Sequence, residues 1–377
     1  MRMLILSANT GQGHNSCAKA IQEVCQAHGD VCDIVDVFSL VSVRLSNSIA
    51  QSHANSYRRA PRLSNAGYGF LEKHPEMFSP KRLIYKVMST GRRQIASCIA
   101  QGQYDTVVCT HVMAAMVLTA AVQQEGLQVR TAFVATDYSC TPGINGTSLD
   151  QYFIPHESLK DDFIRAGIPA HQIVPTGIPV QKGFAPCANK AALKNELGLR
   201  PDGKHLLMMC GSMGCGPIPQ MLRNIALSMP DHWEITVVCG TNETLKSELD
   251  AAYPAHPKVH IRGYERQMPM LLSSADLYLT KPGGLSTSEA AAAAVPMVFV
   301  DAVAGCEENN LRYFVRSGFA AAGETAEEAA QLCLELMEAP HEMEQMKQRL
   351  LCQVPADAAA SIWRSVSEMH TGRNACK

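Results

Sequence analysis

The sequence lacks the features that mark membrane-spanning, secreted and metal-binding proteins. No apolar run approaches the roughly 18 residues that a transmembrane helix needs. The apolar stretch at residues 3–6 is too short for a signal peptide, and it leads into a glycine-rich turn instead of a cleavage site. The histidines show no HExxH or similar spacing, so we expect no metal site.

Neither sign of charge dominates the sequence. Lys and Arg number 33, Asp and Glu number 35, and the formal net charge is −2. This balance argues against a globally basic nucleic-acid-binding protein, and we expect no nucleic-acid partner. The 14 cysteines form no CxxC pair, which indicates reduced thiols in a cytoplasmic protein. Cys109, Cys210 and Cys239 lie in apolar runs, where cysteine acts as a small core residue.

With 377 residues, the chain exceeds the size at which one hydrophobic core usually stops growing. Short apolar runs alternate with segments of helical spacing, a pattern typical of parallel sheets with right-handed crossovers. We therefore predict an α/β fold of two Rossmann-like domains whose parallel sheets face across a cleft, with ligands at the carboxyl ends of the strands. The predicted strands are Met3–Ser7, Val31–Val37, Thr106–Thr110, Val129–Thr136, Tyr152–Ile154, Leu206–Cys210, Ile235–Cys239, Val259–Ile261, Leu277–Thr280 and Met297–Val300.

A stretch rich in proline and glycine near residues 175–190 interrupts this alternation and predicts a linker. We expect an N-terminal domain over residues 1–178 and a C-terminal domain over residues 179–355. Residues 356–377 are predicted to form a helix that packs back toward the N-terminal domain.

The segment at about 40–100 is strongly basic, with ten Lys or Arg residues and only two acidic residues. Apolar and aromatic side chains are interleaved with these charges. A basic, amphipathic insertion in a nearly neutral protein suits an anionic membrane surface, with Arg58, Arg59, Arg92 and Arg93 as contact candidates. The alternative is a solvated helical face that binds substrate phosphate.

Two polar motifs follow predicted strands in the first half. The turn before the first helix contains Gly11, Gly13 and His14, and it lacks the third glycine of a dinucleotide-binding motif. A neutral His14 at the helix entrance could accept a proton from a hydroxyl, or it could simply cap or pack the helix. Asp137 follows the strand at Val129–Thr136 and could orient His14, take the proton itself, or cap a turn.

Glycine-rich turns follow strands in the second half as well. Such turns expose backbone amides to phosphate next to the positive end of a helix. No Gly-Lys-Ser/Thr follows, so a Walker A site is excluded. The Glu in the helix after the second turn could bond a ribose diol, and the later Glu/Asn loop suits sugar hydroxyls. The candidate residues are Gly211, Ser212, Gly214, Tyr264, Met268, Lys281, Gly283, Gly284, Ser286, Glu289, Glu307 and Asn310.

These motifs together resemble those of the GT-B glycosyltransferases that include MurG, monogalactosyldiacylglycerol synthase and the bacterial processive diacylglycerol glucosyltransferases. The resemblance covers nearly the whole chain. It depends on the GQGH turn at residues 11–14, Thr136-Asp137, the TGIP linker at 176–179 and the KPGGLSTSE segment at 281–289. The GQGH turn and the basic insertion favour the diacylglycerol branch over MurG.

The resemblance implies an inverting transfer of a hexose from a UDP-sugar to a lipid, with diacylglycerol as the expected acceptor. The N-terminal domain would bind acceptor and membrane, and the C-terminal domain would bind the donor. No further cofactor is implied. His14 and Asp137 match the catalytic or acceptor-positioning pair, and Glu289 matches the glutamate that binds the UDP ribose. Glu307 and Asn310 match residues that hold the donor sugar. Gly263-Tyr264 and Met268 match positions whose backbone groups frame the uracil. The loop with Gly211, Ser212 and Gly214 matches the loop near the diphosphate.

Two departures from the family pattern affect acceptor and donor identity. A histidine expected shortly after Thr136-Asp137 is replaced by the stretch at 138–142, and Cys306 stands where galactosyl enzymes have Gln. MurG-like transfer of N-acetylglucosamine to a polyprenyl diphosphate lipid is therefore an alternative. A UDP-sugar 2-epimerase and a non-catalytic membrane protein are more distant ones. The expected location is cytoplasmic, peripheral on the inner face of the membrane.

Overall fold

The computed structural model describes residues 1–9, 12–42, 44, 46, 89–302 and 305–374. The predictions for Gly11, Arg58 and Arg59, and for most of the basic segment, lie outside the described residues. Within the described part of the chain, no helix combines the length and the apolar character needed to cross a bilayer.

The chain divides into two compact units. Unit 1 comprises Met1–Gln181, Ala304–Cys306 and Asp357–Lys377, and unit 2 comprises Lys182–Val303 and Glu307–Ala356. The first division, between residues 181 and 182, falls within the stretch rich in proline and glycine.

Unit 1 contains a parallel sheet of six strands in the order β2-β1-β3-β4-β5-β6. The strands are β1 (Arg2–Ser7), β2 (Val31–Asp36), β3 (Thr106–Cys109), β4 (Arg130–Val134), β5 (Gln151–Ile154) and β6 (Ile173–Pro175). The helices are α1 (Gln12–Ala27), α2 (Val37–Val41), α3 (Arg92–Gly102), α4 (Val112–Glu125) and α5 (Lys160–Arg165). Strands β3 and β4 are buried along their whole length, as expected for a sheet covered on both faces.

The C-terminal helix packs within unit 1. This helix, labelled α14 (Ala358–Asn374) in chain order, places the Trp363 ring against the His28 imidazole with ring centroids 3.7 Å apart. The Trp363 indole N–H donates to Asp30 at 2.8 Å, and the Arg130 guanidinium donates to the Met369 carbonyl at 3.0 Å. The helix thereby covers apolar residues of α1 and the sheet.

Unit 2 contains the second parallel sheet, in the order β12-β11-β10-β7-β8-β9. Its strands are β7 (Lys204–Met209), β8 (Trp233–Val238), β9 (Val259–Arg262), β10 (Leu277–Thr280), β11 (Met297–Phe299) and β12 (Ala320–Ala322). Its helices are α6 (Lys190–Glu196), α7 (Ile218–Ser228), α8 (Glu243–Ala252), α9 (Met268–Ser274), α10 (Gly284–Ala292), α11 (Cys306–Arg316), α12 (Ala326–Met337) and α13 (Pro340–Gln353).

A polar cluster lies at the amino-terminal end of the unit 2 sheet. The Asp276 carboxylate accepts from the ammonium groups of Lys190 at 3.2 Å and Lys194 at 2.8 Å, and from the backbone N–H of His205 at 2.8 Å. The His205 ring is fully buried and bonds to the hydroxyls of Ser274 and Thr236. Burial lowers the pKa of His205 to about 3, so the ring is neutral in the folded protein.

The prediction of an α/β fold with two parallel sheets is confirmed, and ten of the twelve observed strands overlap predicted ones. The two missed strands are β6 and β12, which are both edge strands of three residues. Strand β6 lies at the start of the region rich in proline and glycine, and β12 consists of three alanines, which have low β-propensity. Neither segment therefore carries a strand pattern.

Candidate active site

His14 lies in the first turn of α1, at the carboxyl edge of the unit 1 sheet. Strand β1 precedes this turn, and its Leu6 lies opposite Cys109 of β3, which in turn lies opposite Phe133 of β4. The segments that follow these three strands consequently begin at the same level. Parallel register therefore brings His14 to the residues that follow β3 and β4.

The hydrogen bonds of the His14 ring determine which nitrogen is basic. Its Nδ1 lies 2.7 Å from the carbonyl oxygen of Thr110 and 3.2 Å from the hydroxyl of Thr136. A carbonyl can only accept, so Nδ1 carries a proton and donates it to Thr110. In the neutral ring Nε2 is then the basic nitrogen, as a general base requires.

Asp137 directly follows Thr136, and it is half-buried at the same edge of the sheet. The Thr136 hydroxyl thus approaches the Nδ1 side of the His14 ring, and the neighbouring carboxylate lies one residue further along the chain. His14 as the base and Asp137 as its partner or substitute both remain predictions.

The loop that carries His14 is held by a chain of polar side chains. The Ser7 hydroxyl donates to Asn15 at 2.6 Å, and the Asn15 amide donates to Asn9 at 2.8 Å. Asn9 in turn donates to the Asp36 carboxylate at 3.3 Å, and the same carboxylate caps α2. This chain links the ends of β1 and β2 and orients the start of α1.

Thr110 carries an unusual buried hydroxyl beside this site. The residue is fully buried, and its Oγ1 has no hydrogen-bond partner among the residues that the structure describes. We expect Thr110→Val, which has nearly the same shape, to leave the free energy of unfolding unchanged or to raise it by about 1 kcal/mol, because no hydrogen bond is lost. Urea unfolding of Thr110→Val and the wild type, followed by tryptophan fluorescence, measures this effect. A loss of stability above about 1 kcal/mol would show that the hydroxyl is bonded in solution.

His111, which follows β3 immediately after Thr110, was not predicted as a site residue. Its ring meets the His14 ring edge to face, with centroids 4.6 Å apart and an interplanar angle of 74°. The missed signal was a polar pair directly after a buried strand, the same signal that identified Asp137.

The glycine-rich turn after β7 is locked to the turn after β8. The Thr241 backbone N–H donates to the Ser212 carbonyl at 2.9 Å, and the Asn242 amide donates to the Gly214 carbonyl at 2.9 Å. Gly214 has φ +58°, and a Cβ there would lie 2.1 Å from the Cys239 carbonyl oxygen. Only glycine fits this close approach, and the loop with Gly211 and Ser212 is therefore held in one shape.

Lys281 lies where the turns after β7, β10 and β11 converge. Its ammonium is 2.6 Å from the carboxylate of Asp301, and a Cβ on Gly216 would lie 3.2 Å from its Cε. Burial opposes the charge of Lys281, but the hydrogen bond and charge of Asp301 outweigh it and raise the pKa of the lysine. Lys281 is therefore a cation beside the glycine-rich turn, and Asp301 is a second site residue that was not predicted from the sequence.

Helix α10 begins three residues after this lysine, at Gly284. Gly283 is its N-cap residue and Gly284 its first residue, and no side chain caps its amides. The Ser286 hydroxyl donates to the Gly283 carbonyl at 3.2 Å. The helix N-terminus and Lys281 place positive potential at one end of the sheet, which is the arrangement that anionic phosphate prefers.

Glu289 lies in the second turn of α10 and is half-buried. Removal from water raises the pKa of its carboxyl to about 8. A carboxyl with this pKa at a sheet's carboxyl edge is a candidate functional group. Its proton is held more strongly in the folded than in the unfolded chain, so its contribution to stability is lost as the pH rises through about 8.

The remaining donor candidates differ in exposure. Glu307 is half-buried in the first turn of α11, and its charge contributes to the raised pKa of Lys281. Asn310 is fully buried, and its amide donates to the Pro282 carbonyl at 2.9 Å, which fixes the turn before α10. Tyr264 is exposed after the edge strand β9, and Met268 begins α9. Their contacts with a donor remain predictions.

Arg92 and Arg93 share one carboxylate. Their guanidinium groups lie 3.1 Å and 3.7 Å from Glu125 of α4, and 78% of the Arg93 side chain is exposed. Arg93 also lines an open groove of about 660 Å³ along α3. In the described part of the chain, no group of three or more His, Cys, Asp and Glu side chains is arranged to hold a metal ion.

Family models match both parts of the chain. The model described as monogalactosyldiacylglycerol (MGDG) synthase matches residues 14–180, beginning at His14. The model described as glycosyl transferases group 1 matches residues 221–350, which include the turn at Lys281 and helix α10. Proteins of the second family use nucleotide-sugar donors.

Several known glycosyltransferases and a UDP-sugar epimerase resemble the chain over nearly its whole length. The processive diacylglycerol beta-glucosyltransferase of Staphylococcus saprophyticus is 26% identical over 353 residues, which are 93% of this chain and 88% of the relative. MurG of Acinetobacter baumannii shares the fold with a TM-score of 0.64 and 15% identity, covering 97% of this chain and 99% of MurG. The UDP-GlcNAc 2-epimerase of Neisseria meningitidis, solved with UDP-GlcNAc, gives a TM-score of 0.60 at 12% identity. The match covers 98% of this chain and 100% of the epimerase.

The sequence-based interpretation as a glycosyltransferase of this group is confirmed. The chain is a hexosyltransferase of GT-B fold whose residues 14–180 match the monogalactosyldiacylglycerol synthase model and whose residues 221–350 match the group 1 glycosyl transferase model.

Proposed function

We propose that the protein transfers glucose from UDP-glucose to the hydroxyl of a diacylglycerol, with inversion at the sugar carbon. The similarity to the processive diacylglycerol beta-glucosyltransferase supports diacylglycerol as the acceptor and glucose as the sugar. The observation that carries the chemistry is the tautomer of His14, whose Nδ1–H bond to Thr110 makes Nε2 the basic nitrogen.

In the proposed reaction, His14 Nε2 takes the proton of the acceptor hydroxyl, with Asp137 as its partner. The acceptor oxygen forms a bond to the anomeric carbon while the bond from that carbon to the UDP oxygen breaks. The sugar passes through an oxocarbenium-like state, and UDP leaves with the bonding electrons. Lys281, the amides at the start of α10 and the glycine-rich turn stabilise the charge on the diphosphate.

The test is incubation with a panel of UDP-sugars and diacylglycerol vesicles, followed by mass spectrometry of the products. We expect glucosyl-diacylglycerol from UDP-glucose. A product formed only with polyprenyl diphosphate lipid and UDP-N-acetylglucosamine would instead support a MurG-like reaction. Release of a free epimerised sugar without lipid would support an epimerase, and either result would overturn the proposal.

Donor binding is expected to depend on the protonation of Glu289. A carboxylate accepts hydrogen bonds from both ribose hydroxyls, so UDP should favour the ionised form of a group whose pKa is about 8. We therefore expect UDP affinity to rise between pH 6 and pH 9, with proton release on binding. Calorimetry in buffers of different ionisation enthalpy measures both effects.

The Glu289→Gln variant is the matched control, because it keeps the shape of the side chain and removes its titration. Its UDP affinity should be weaker and nearly independent of pH over this range. An unchanged pH dependence in Glu289→Gln would assign the effect to another group.

We also propose that the protein works at the inner face of the membrane as a peripheral protein, through its basic segment. Binding to anionic vesicles should weaken with added salt, because attraction between exposed charges is screened. Arg92→Glu with Arg93→Glu should reduce co-sedimentation with these vesicles. The control changes two exposed arginines elsewhere, Arg312→Glu and Arg364→Glu. Binding that is insensitive to salt and to the first pair would contradict the proposal.

A further inference from the structure

His111 has a fixed protonation pattern because it caps a helix. It is the N-cap residue of α4, and its Nδ1 accepts the backbone N–H of Met113 at 3.1 Å. Nδ1 must keep its lone pair to accept this bond, so the neutral ring carries its proton on Nε2. Protonation of Nδ1 would break the cap and place a positive charge at the positive end of α4. The cap thus favours a neutral ring in one orientation.

His14 has the opposite tautomer, since its Nδ1 donates to the carbonyl of Thr110. The residue that supplies this carbonyl immediately precedes His111 in the chain. One short segment after β3 therefore makes two contacts with His14: a backbone oxygen binds Nδ1, and the His111 ring lies edge to face with the imidazole at 4.6 Å. The first contact selects the tautomer, and the second limits rotation of the ring.

We propose that His111 is a positioning residue for His14. This inference rests on the proposed function in assigning the base to His14. The capped His111 ring holds the His14 imidazole so that Nε2 keeps one direction. Because the cap anchors the His111 ring to the rigid start of α4, the His14 ring is held before any substrate is bound, which lowers the cost of reaching the reactive geometry.

The His111→Asn variant separates the ring from the cap. Asparagine is among the best N-cap residues, so α4 should keep its start and the protein its melting temperature. The ring contact with His14 is lost, and we expect kcat to fall about 10-fold with an unchanged KM for UDP-glucose. The matched control is His156→Asn, because His156 caps the short helix at Glu157–Leu159 in the same way, after β5. It should leave kcat unchanged.

A double-mutant cycle tests whether His111 acts through His14. If it does, His14→Ala combined with His111→Asn should be no slower than His14→Ala alone, because there is no imidazole left to position. Fully additive losses, or a wild-type kcat in His111→Asn, would overturn the proposal.

A measurement without turnover separates this inference from the proposed function. In protein labelled with ¹⁵N-histidine, the nitrogen chemical shifts of His14 should report a proton on Nδ1. In His111→Asn the unrestrained ring should rotate away from the Thr110 carbonyl, and the signal should then become that of a mixture of tautomers. An unchanged His14 signal in His111→Asn would overturn the positioning role, whatever reaction the wild type catalyses. Failure of the wild type to transfer sugar, with the expected signals, would instead overturn only the proposed function.

Discussion

Replacing His14 with alanine is expected to lower turnover at least about 10²-fold, the usual scale for loss of a general base. The physical reason is the fixed tautomer of the ring: Thr110 holds the proton on Nδ1, and Nε2 is then the group able to take the acceptor proton. The rate of glucosyl transfer to diacylglycerol vesicles at saturating UDP-glucose gives the measurement.

The control for this prediction is His171→Ala, which removes an exposed histidine of unit 1. Because donor binding is assigned to unit 2, the affinity of the His14→Ala variant for UDP should equal that of the wild type. Near-wild-type turnover in His14→Ala would remove this residue from the mechanism and leave Asp137 as the base.

Asp276→Asn is expected to destabilise unit 2. The change leaves the Lys194 ammonium, whose side chain is only 6% exposed, without a full counter-charge. We expect a loss of about 2 to 3 kcal/mol, below the range for fully buried pairs because 25% of the Asp276 side chain is exposed. Urea unfolding in a Trp363→Phe background measures it, since the fully buried Trp233 then reports on unit 2 alone.

The loss of stability in Asp276→Asn should depend on pH, in a direction set by the pKa of the Asp276 carboxyl. Burial acts to raise the pKa of Asp276, but the two ammonium groups and the His205 N–H outweigh it, and the pKa is lowered. Its contribution is therefore complete above the ordinary carboxyl pKa near 4 and is lost as the pH falls through the lowered value. For Lys190 burial is not outweighed, and its pKa is lowered as well. The stability difference between wild type and Asp276→Asn should shrink below about pH 4.

The matched control is Asp231→Asn, which breaks an ion pair with Lys258 in which the Asp231 carboxylate is fully exposed. We expect no measurable change in stability there, because exposed pairs gain little in water. Equal stability losses in the two variants would contradict the importance of burial at Asp276.

The fold could be read from the sequence because buried parallel strands are encoded locally. The ten predicted strands are short, mainly apolar segments bounded by turn residues, and Gly, Asn or Asp after a strand marks the carboxyl edge where ligands bind. Strands β6 and β12 were missed because three-residue edge strands depend on pairing with a neighbour and carry no pattern of their own.

The candidate site was predictable in its motifs but not in its contacts. The sequence placed His14, Asp137 and Lys281 after strands, yet it could not show that Thr110 binds Nδ1 of His14 or that Asp301 pairs with Lys281. His111 was not predicted as a site residue, because a histidine before an apolar helix usually serves only as the N-cap of that helix. Its second contact, with a ring 97 positions earlier in the chain, exists only once β1 and β3 are paired.

The sequence by itself determined the two parallel sheets, the strand ends that carry polar groups and the glycine turns that expose amides, because these depend on local pattern and backbone freedom. Only the tertiary structure decided which nitrogen of His14 is basic, that Asn310 holds the Pro282 turn and that burial raises the pKa of Glu289 to about 8. Tautomers, partners and desolvation are set by atoms distant in the chain, and the register of neighbouring strands brings those atoms together.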